Sequence, residues 1–483
     1  MAKAPLHRPQ APETAVYVHW PWCKAKCPYC DFNSHATPPE ETHYIEGVVA
    51  ELRGWGAVLE EPLQGADKQG FAWGAGARQQ GGSGAADGGN GRHGAGAWDG
   101  FRPLPAPAPE HPGPLPRRRL ASVFFGGGTP SLMAPASVAK VLEACAAVGV
   151  LDGHTEITVE CNPTSFDDAR PARAMLADLK ACGVNRVSLG VQGLKDEWLR
   201  FLGREHSARD ALGTLDAAQE VFDNVNADVI YGLPGQGLAD WRQQLESLAG
   251  RGLAHISAYQ LTIEPNTRFY TDVKRGLWQP VDGDSEAAFF EDTQAVLAVH
   301  GYENYEISNF AKPGRACVHN RHVWRYGDYV GVGAGAHGRL TLPGGTRLAT
   351  QVVRQPDGYL RRIRDGLSTL AGADTVPGRQ AVQEALFLGL RLREGVDVGE
   401  LEKRFGKAAC DAAVNWVEHD LLTTRGVLER DGTTLRLTPR GWPLLNGVLT
   451  RLLDVAIPQT TDANTPTESK RVAYTTGLRV SIE

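Results

Sequence analysis

Three cysteines stand close together near the amino terminus, at Cys23, Cys27 and Cys30. They follow a short apolar run at 15–20, and their spacing is C-x3-C-x2-C. Cysteine thiolates hold iron–sulfur clusters, and a cubane cluster has four irons. Three thiolates leave one iron free to bind a ligand directly, as an open position on a catalytic zinc does. The spacing therefore predicts a [4Fe–4S] cluster with one open iron.

Two other interpretations use the same residues. His19 precedes Cys23 closely enough to complete a zinc site of three cysteines and one histidine, although Pro21 stiffens the segment between them. Zinc modules more often use two separated pairs of ligands. The other interpretation is a set of buried or redox-active thiols. The spacing, together with the position of the cysteines after a predicted strand, favours the cluster.

The elements that would position this site alternate along the chain. Six short apolar runs, most of them bounded by Gly, Pro or Asn, predict buried parallel strands at 15–20, 122–126, 156–161, 186–192, 228–232 and 255–263. Apolar residues at helical spacing lie between them, at 138–148, 172–182, 208–222 and 240–251. Alternation of this kind predicts an α/β fold, and six units fit a partial (β/α)6 TIM-like barrel. Chemistry in such barrels gathers at the carboxyl ends of the strands.

The remaining segments suggest further divisions. An extension at 1–14 precedes the barrel, which with its own extension covers 15–375. Within it, 54–119 is rich in Gly, Ala and Pro and predicts a disordered insert. Residues 376–457 predict a winged-helix-like domain of helices and a short wing, and 458–483 a disordered tail.

Composition narrows the expected partners and compartment. A formal net charge of −6 gives no reason to expect nucleic acid as the main partner, and no apolar run is long enough for a membrane span. Winged-helix modules often bind DNA, but nearby acids balance the basic residues here, which favours a structural or docking role. The start of the chain lacks the apolar segment of a secretory signal. We expect a cytoplasmic protein, with a mitochondrion or plastid as the alternative.

Several motifs together carry a family resemblance. They are Phe-Phe-Gly-Gly-Gly-Thr-Pro at 124–130, Thr-Val-Glu-Cys-Asn-Pro at 158–163, Ser-Leu-Gly-Val-Gln at 188–192, Leu-Gly-Arg-Glu-His at 202–206 and Asp-Val-Ile-Tyr-Gly-Leu-Pro-Gly-Gln at 228–236. With the three cysteines, the set resembles the radical SAM superfamily, and within it the coproporphyrinogen III dehydrogenase-like group. Members of the superfamily bind S-adenosylmethionine (SAM) at the open iron and cleave it reductively.

The resemblance implies which residues contact the cofactors. Backbone at the glycine run would meet the methionine amino group of SAM, and Arg204 its carboxylate. Glu160 would accept hydrogen bonds from ribose hydroxyls or the ammonium group. The full set that we expect near the cluster or SAM is Tyr17, Tyr29, Gly127, Gly128, Thr129, Glu160, Gln192, Arg204, Asp228, Ala258 and His337.

Two features of the sequence resemble those of one branch of this group, the HemW-type haem chaperones. Phe32 stands where the dehydrogenase carries a further cysteine, and the run at 317–329 resembles the branch motif H-N-R-x-Y-W, although Val323 replaces its Tyr. The resemblance implies a haem chaperone that binds a [4Fe–4S] cluster, SAM and haem and delivers haem to acceptor proteins, as a possible homodimer. His319 would be the haem ligand. His19, His322 and Cys317 are the alternatives.

An enzymatic function is the second hypothesis. Oxygen-independent coproporphyrinogen III dehydrogenase oxidatively decarboxylates its substrate by radical SAM chemistry during porphyrin biosynthesis. Phe32 argues against this activity in the present chain. We therefore leave open whether the chain is an enzyme, and the sequence names no catalytic residue.

Overall fold

The computed structural model describes residues 13–60, 117–166 and 171–453. Its centre is a run of parallel strands that are neighbours in space in the same order as in the chain. Nearly all their residues are buried, which explains why their sequences are continuous apolar runs rather than alternating ones. The strands are β1 Glu13–Trp20, β2 Arg119–Gly127, β3 Glu156–Cys161, β4 Arg186–Gln192, β5 Val225–Tyr231 and β6 His255–Gln260.

Helices separate these strands along the chain. They are α1 Glu41–Glu60, α2 Pro135–Cys145, α3 Ala172–Ala181, α4 Asp196–Phe201, α5 Ala208–Val221 and α6 Leu238–Ala249. Residues 54–60, which the sequence analysis placed in the insert, are helical because α1 continues and buries Trp55 and Leu59. That boundary was wrong. The rest of the insert up to 116, the extension at 1–12 and the tail lie outside the described residues.

The sheet remains open, as the predicted partial barrel requires. Its 12 strands lie in the order β12-β11-β10-β9-β1-β2-β3-β4-β5-β6-β8-β7. The added strands are β7 Glu303–Asn304, β8 Asn309–Ala311, β9 Asp328–Val332, β10 His337–Thr341, β11 Arg347–Val352 and β12 Leu370–Thr375. The helices of this region are α7 Arg268–Lys274, α8 Gly283–Val299, α9 Val318–Trp324 and α10 Pro356–Arg364. None of the described helices is long and apolar enough to cross a membrane.

A carboxy-terminal domain follows the sheet and has its own apolar core. Its elements are α11 Gly378–Gly389, β13 Val396–Asp397, α12 Val398–Phe405, α13 Lys407–Ala413, α14 Trp416–Thr424, β14 Leu428–Asp431, β15 Thr434–Leu437 and α15 Leu445–Leu453. The hairpin of β14 and β15 is the expected wing. The α/β fold and the winged-helix-like carboxy-terminal domain are therefore as predicted.

A buried ion pair joins this domain to the sheet. Arg339 on β10 donates to Glu384 on α11 at 2.9 Å, and both side chains are almost fully buried. The Tyr326 hydroxyl donates to the same carboxylate at 2.6 Å. Because separating a buried pair leaves a charge without its partner, these contacts oppose movement of the domain away from the sheet.

A second buried carboxylate ties α1 to the turn after β9. Glu51 accepts hydrogen bonds from the Gly333 N–H at 2.7 Å, from the Tyr359 hydroxyl at 3.0 Å and from the Thr369 hydroxyl. Burial outweighs these bonds and raises the pKa of Glu51 to about 7. The carboxyl group therefore becomes protonated in the folded chain at a pH where an exposed glutamate stays charged.

Replacing Glu51 by glutamine tests this burial. The folded chain keeps the proton up to about pH 7, whereas an unfolded glutamate releases it near 4.5, so folding becomes less favourable as the pH rises through this window. At about 1.4 kcal/mol per pKa unit, the wild-type chain should lose about 3 kcal/mol of unfolding free energy that Glu51→Gln retains. Urea unfolding from about pH 4.5 to about pH 8 measures the difference. Parallel pH profiles of the two chains would contradict it.

Candidate metal centre

A cavity of about 660 Å³ opens at the carboxyl ends of the parallel strands. The barrel lines one side of it, and the carboxy-terminal domain contributes residues to the other. Its size is that of an ordinary small-molecule site. The lining includes the following residues from the set expected to bind the cluster or SAM: Cys23, Cys27, Cys30, Tyr29, Gly127, Gly128, Thr129, Glu160, Gln192, Arg204 and Asp228.

The three cysteines lie on a loop, here called the cluster loop, that spans 21–36 after β1. Backbone contacts with the turn after β2 hold its start: the Gly128 N–H donates to the Trp20 carbonyl at 2.6 Å, and the Thr129 N–H donates to the Trp22 carbonyl at 2.8 Å. A Cβ at Gly128 would lie 2.6 Å from the Trp22 oxygen. Only glycine therefore permits this approach.

His19 anchors the other end of the cluster loop. One ring nitrogen lies 3.1 Å from the Tyr17 hydroxyl, and Nε2 lies 3.0 Å from the Asn33 carbonyl oxygen. Burial lowers the pKa of His19 to about 4, so the ring is neutral. Because both nitrogens are engaged, His19 has no lone pair available for zinc without breaking these contacts. Among the described residues, no three His, Cys, Asp or Glu side chains are grouped closely enough to hold a single metal ion, whereas a cubane takes its three cysteine ligands on three different irons.

The three thiols suit a cluster that brings its own positive charge. Burial raises the pKa of Cys23, and it raises the pKa of Cys30 to about 11. Such thiols stay protonated at neutral pH unless a metal stabilises the thiolate. A fourth cysteine, Cys161, also lines the cavity, but it ends β3 and its thiol donates to the Val159 carbonyl. The donor set of the cluster loop thus fits a cubane with three protein ligands.

Polar groups from β3 and from the segment after α4 surround the cluster loop. Glu160 accepts a hydrogen bond from the Gly127 N–H at 3.1 Å. Arg204 donates to the Gly190 carbonyl at 3.1 Å and lies 3.4 Å from the Cys27 sulfur. The Glu160 carboxylate and the Arg204 guanidinium therefore lie at the cavity with the cysteines, and each is held in place by backbone.

The ends of β4 and β5 supply an amide and a second carboxylate. Gln192 adopts a left-handed conformation, with φ of 64°, at an irregularity in the pairing of β4 with β5. Non-glycine residues adopt it rarely, and such strain is typical of ligand sites. Asp228 lies within β5 rather than at its start and accepts from Ser188 and Asn226. Burial raises the pKa of Asp228.

Three other expected cofactor residues do not line this cavity. Tyr17 lies inside the sheet beneath it, where its hydroxyl meets His19. Ala258 is buried on β6, and His337 begins β10. A direct contact between any of these three residues and a cofactor in the cavity would therefore require the cavity wall to rearrange.

His319 lies beside the middle of β1 and β2, next to Tyr17 and Phe124, and outside the cavity lining. It is buried on α9, and its Nδ1 is 2.8 Å from the Ser122 hydroxyl on β2. The Phe124 ring lies 4.8 Å away. Glu156, the first residue of β3, accepts from the His319 backbone N–H at 3.1 Å. Burial lowers the pKa of His319 to about 3, so its imidazole is neutral, and the residue does not line the cavity.

The structure also adds residues that no motif indicated. From the carboxy-terminal domain and the segment after α11, Arg391, Trp442, Pro443, Leu445 and Asn446 line the cavity. They are remote from the cysteines in sequence and show no distinctive spacing, so only the packing of the two domains brings them to the site. Both domains therefore contribute walls to the cavity.

Comparisons with known proteins agree with this architecture. Residues 115–248 match the family model of the radical SAM superfamily, and residues 376–444 match that of the HemN C-terminal domain. The coproporphyrinogen III oxidase HemN of Escherichia coli has a similar solved structure, with a TM-score of 0.67, 18% identity and coverage of 91% of this chain and 90% of that one. At this identity, the likeness supports the fold alone.

Closer relatives exist among curated proteins. The chain is 33% identical to the protein named heme chaperone HemW of Escherichia coli K12, over 72% of this chain and 76% of the relative. It is 31% identical to HemW of Haemophilus influenzae, over 91% and 98%. It is also 33% identical to the mouse protein named radical S-adenosyl methionine domain-containing protein 1, mitochondrial, over 93% and 90%.

Substituting Gly128 with alanine tests the backbone contact under the cluster loop. The added Cβ would meet the Trp20 and Trp22 carbonyls, so we expect cluster binding to weaken by about tenfold or more. Iron content after anaerobic reconstitution measures the effect. The matched control is Gly153→Ala, since no heavy atom lies within 4 Å of that Cβ position. Equal iron content in the two variants would contradict the role assigned to Gly128.

Proposed function

Because the chain belongs to the HemW family of radical SAM proteins, we propose that it is a haem chaperone that binds a [4Fe–4S] cluster, SAM and haem and delivers haem to acceptor proteins. The observation that carries the proposal is the composition of the cluster loop. Its three cysteines face a cavity with polar groups that suit SAM, while Phe32 also lines this cavity where the dehydrogenase has another cysteine. Curated relatives with the printed name heme chaperone support it.

Different residues of the cavity would bind the cluster and the different groups of SAM. Cys23, Cys27 and Cys30 would hold the cluster, whose open iron supplies the binding position for the amino acid part of SAM. Arg204 would pair with the SAM carboxylate as a charge-assisted contact. Glu160, already fixed by the Gly127 N–H, would accept from the SAM ammonium or ribose.

Asp228, Gln192 and Tyr29 would complete the SAM site. Asp228 is held by Ser188 and Asn226, so its carboxylate is oriented before a ligand arrives. Gln192 lines the cavity, and its backbone there has the left-handed conformation. Tyr29 lies between the second and third cysteines in the sequence and lines the cavity with them.

For haem, His319 remains the proposed ligand. Its neutral imidazole is the form that binds iron. Its burial means that haem could reach it only after the first turn of α9 moves and the bonds to Ser122 and Glu156 open. The alternatives are engaged too: His19 is held at both nitrogens, His322 contacts the Asp328 carbonyl at 2.7 Å, and Cys317 donates to Glu156.

Partners and compartment follow from the same proposal. The acceptors are haem-requiring proteins, and a homodimer is the proposed assembly. We place the chain in the cytoplasm, with an organelle as the alternative because the mammalian relatives carry the word mitochondrial in their names. Neither placement alters the chemistry of the site.

A haem transfer assay tests the function. We expect the anaerobically reconstituted chain to hold haem through denaturing electrophoresis and to form no protoporphyrinogen from coproporphyrinogen III, SAM and reductant. His319→Ala should lower the retained haem by about tenfold, because the covalent or coordinating nitrogen is gone. His43→Ala is the matched control, since that side chain is 59% exposed on α1.

Two results would contradict the proposed function or the proposed haem ligand. Catalytic decarboxylation of coproporphyrinogen III would replace the chaperone with the dehydrogenase function. Full haem retention by His319→Ala would leave the chaperone function standing but would reject His319 as the ligand.

A further inference from the structure

Arg391 lines the cavity, and no carboxylate forms an ion pair with it in the described part of the chain. Arg391 follows α11 and lies against the Trp324 ring, with 4.5 Å between its guanidinium carbon and the ring centre. Its buried Nε has no hydrogen-bond partner among the described residues. Arg186 and Arg347 also have a buried Nε without a hydrogen-bond partner, but each has a carboxylate nearby, Glu156 at 4.0 Å and Asp328 at 2.7 Å.

The carboxylate that acts on Arg391 is already engaged elsewhere. Glu306 accepts from the Ser308 N–H at 2.9 Å and from the Asn309 amide, and it forms no ion pair with Arg391 within 4 Å in the described part of the chain. Burial lowers the pKa of Arg391 more than the nearby Glu306 and Tyr259 raise it. An incompletely compensated cation of this kind is costly unless a ligand supplies the negative charge.

The walls around this cation are largely apolar. Phe290, Ile307, Trp442 and Leu445 line the same cavity as Arg391. They come from α8, from the segment before β8 and from the carboxy-terminal domain, whereas the cysteines and Arg204 belong to the barrel side. The cavity thus offers a cation with apolar and aromatic walls, which suits a flat apolar ligand that carries a carboxylate.

We propose that Arg391 binds a carboxylate of the cargo, a haem propionate, at the carboxy-terminal side of the cavity. This inference rests on the proposed haem chaperone function and adds a recognition residue to it. SAM is the other source of a carboxylate in the cavity. Arg204, 3.4 Å from the Cys27 sulfur, already stands where that group is expected, which leaves Arg391 for the porphyrin.

The test compares ligands that differ only in the charge of their propionates. Cluster-loaded, full-length chains are titrated with haem, with haem dimethyl ester and with SAM, and each affinity is measured by absorbance or fluorescence quenching. We expect the wild-type chain to bind haem about tenfold more tightly than its ester. Arg391→Met should lose this preference and keep its SAM affinity, and Arg391→Lys should retain part of the preference.

Arg393→Met is the matched control. Arg393 also stacks on a tryptophan, with its guanidinium carbon 4.0 Å from the Trp442 ring centre, but Asn304 and Gln294 accept its hydrogen bonds. Its removal should leave the preference for haem over the ester unchanged. Thermal unfolding without ligand checks that Arg391→Met and Arg393→Met remain folded, so that a lost preference for haem over the ester reports on ligand recognition.

Each outcome separates the two claims. If the wild type binds haem and Arg391→Met still distinguishes haem from its ester, this inference fails and the chaperone function stands. Loss of SAM affinity alone in Arg391→Met would assign the residue to SAM and also overturn the inference. A wild-type chain that binds no haem would refute the proposed function, and the propionate site with it.

Discussion

The metal site depends on how closely two pieces of backbone approach each other. The glycine turn after β2 donates two hydrogen bonds to the start of the cluster loop, at Trp20 and Trp22. A side chain on Gly128 would occupy the space of the Trp22 carbonyl. Since His19 and Asn33 hold the far end of the loop, the thiols are positioned by main chain and by buried polar groups rather than by contacts among themselves.

The second requirement is that the carboxy-terminal domain stays against the sheet. The buried pair of Arg339 and Glu384 opposes separation, and the domain then presents Trp442 and Leu445 to the cavity. Cations stand on both sides, Arg204 near the cysteines and Arg391 near the second domain. A cavity with this division of charge suits two different carboxylate ligands, one on each side.

Local patterns predicted the fold well and the site only in part. The bounds of β3 and β4 were predicted to the residue because buried parallel strands leave uninterrupted apolar runs. The helix α1 was not among the predicted helices, and its last turns were assigned to the insert, since glycines obscured the pattern; Gly56 is needed where a Cβ would lie 2.5 Å from the Ala147 oxygen. No local sequence pattern identifies Arg391 as a site residue, because its place at the cavity depends on contacts between the two domains.

The proposed function depends on a cluster with three cysteine ligands and one iron open to SAM. Mössbauer spectra of the chain, reconstituted with iron-57 without oxygen, test it most directly before and after SAM is added. We expect a [4Fe–4S] spectrum in which a single iron site changes when SAM binds. A spectrum unaffected by SAM, or a colourless chain with stoichiometric zinc and no cluster, would contradict it.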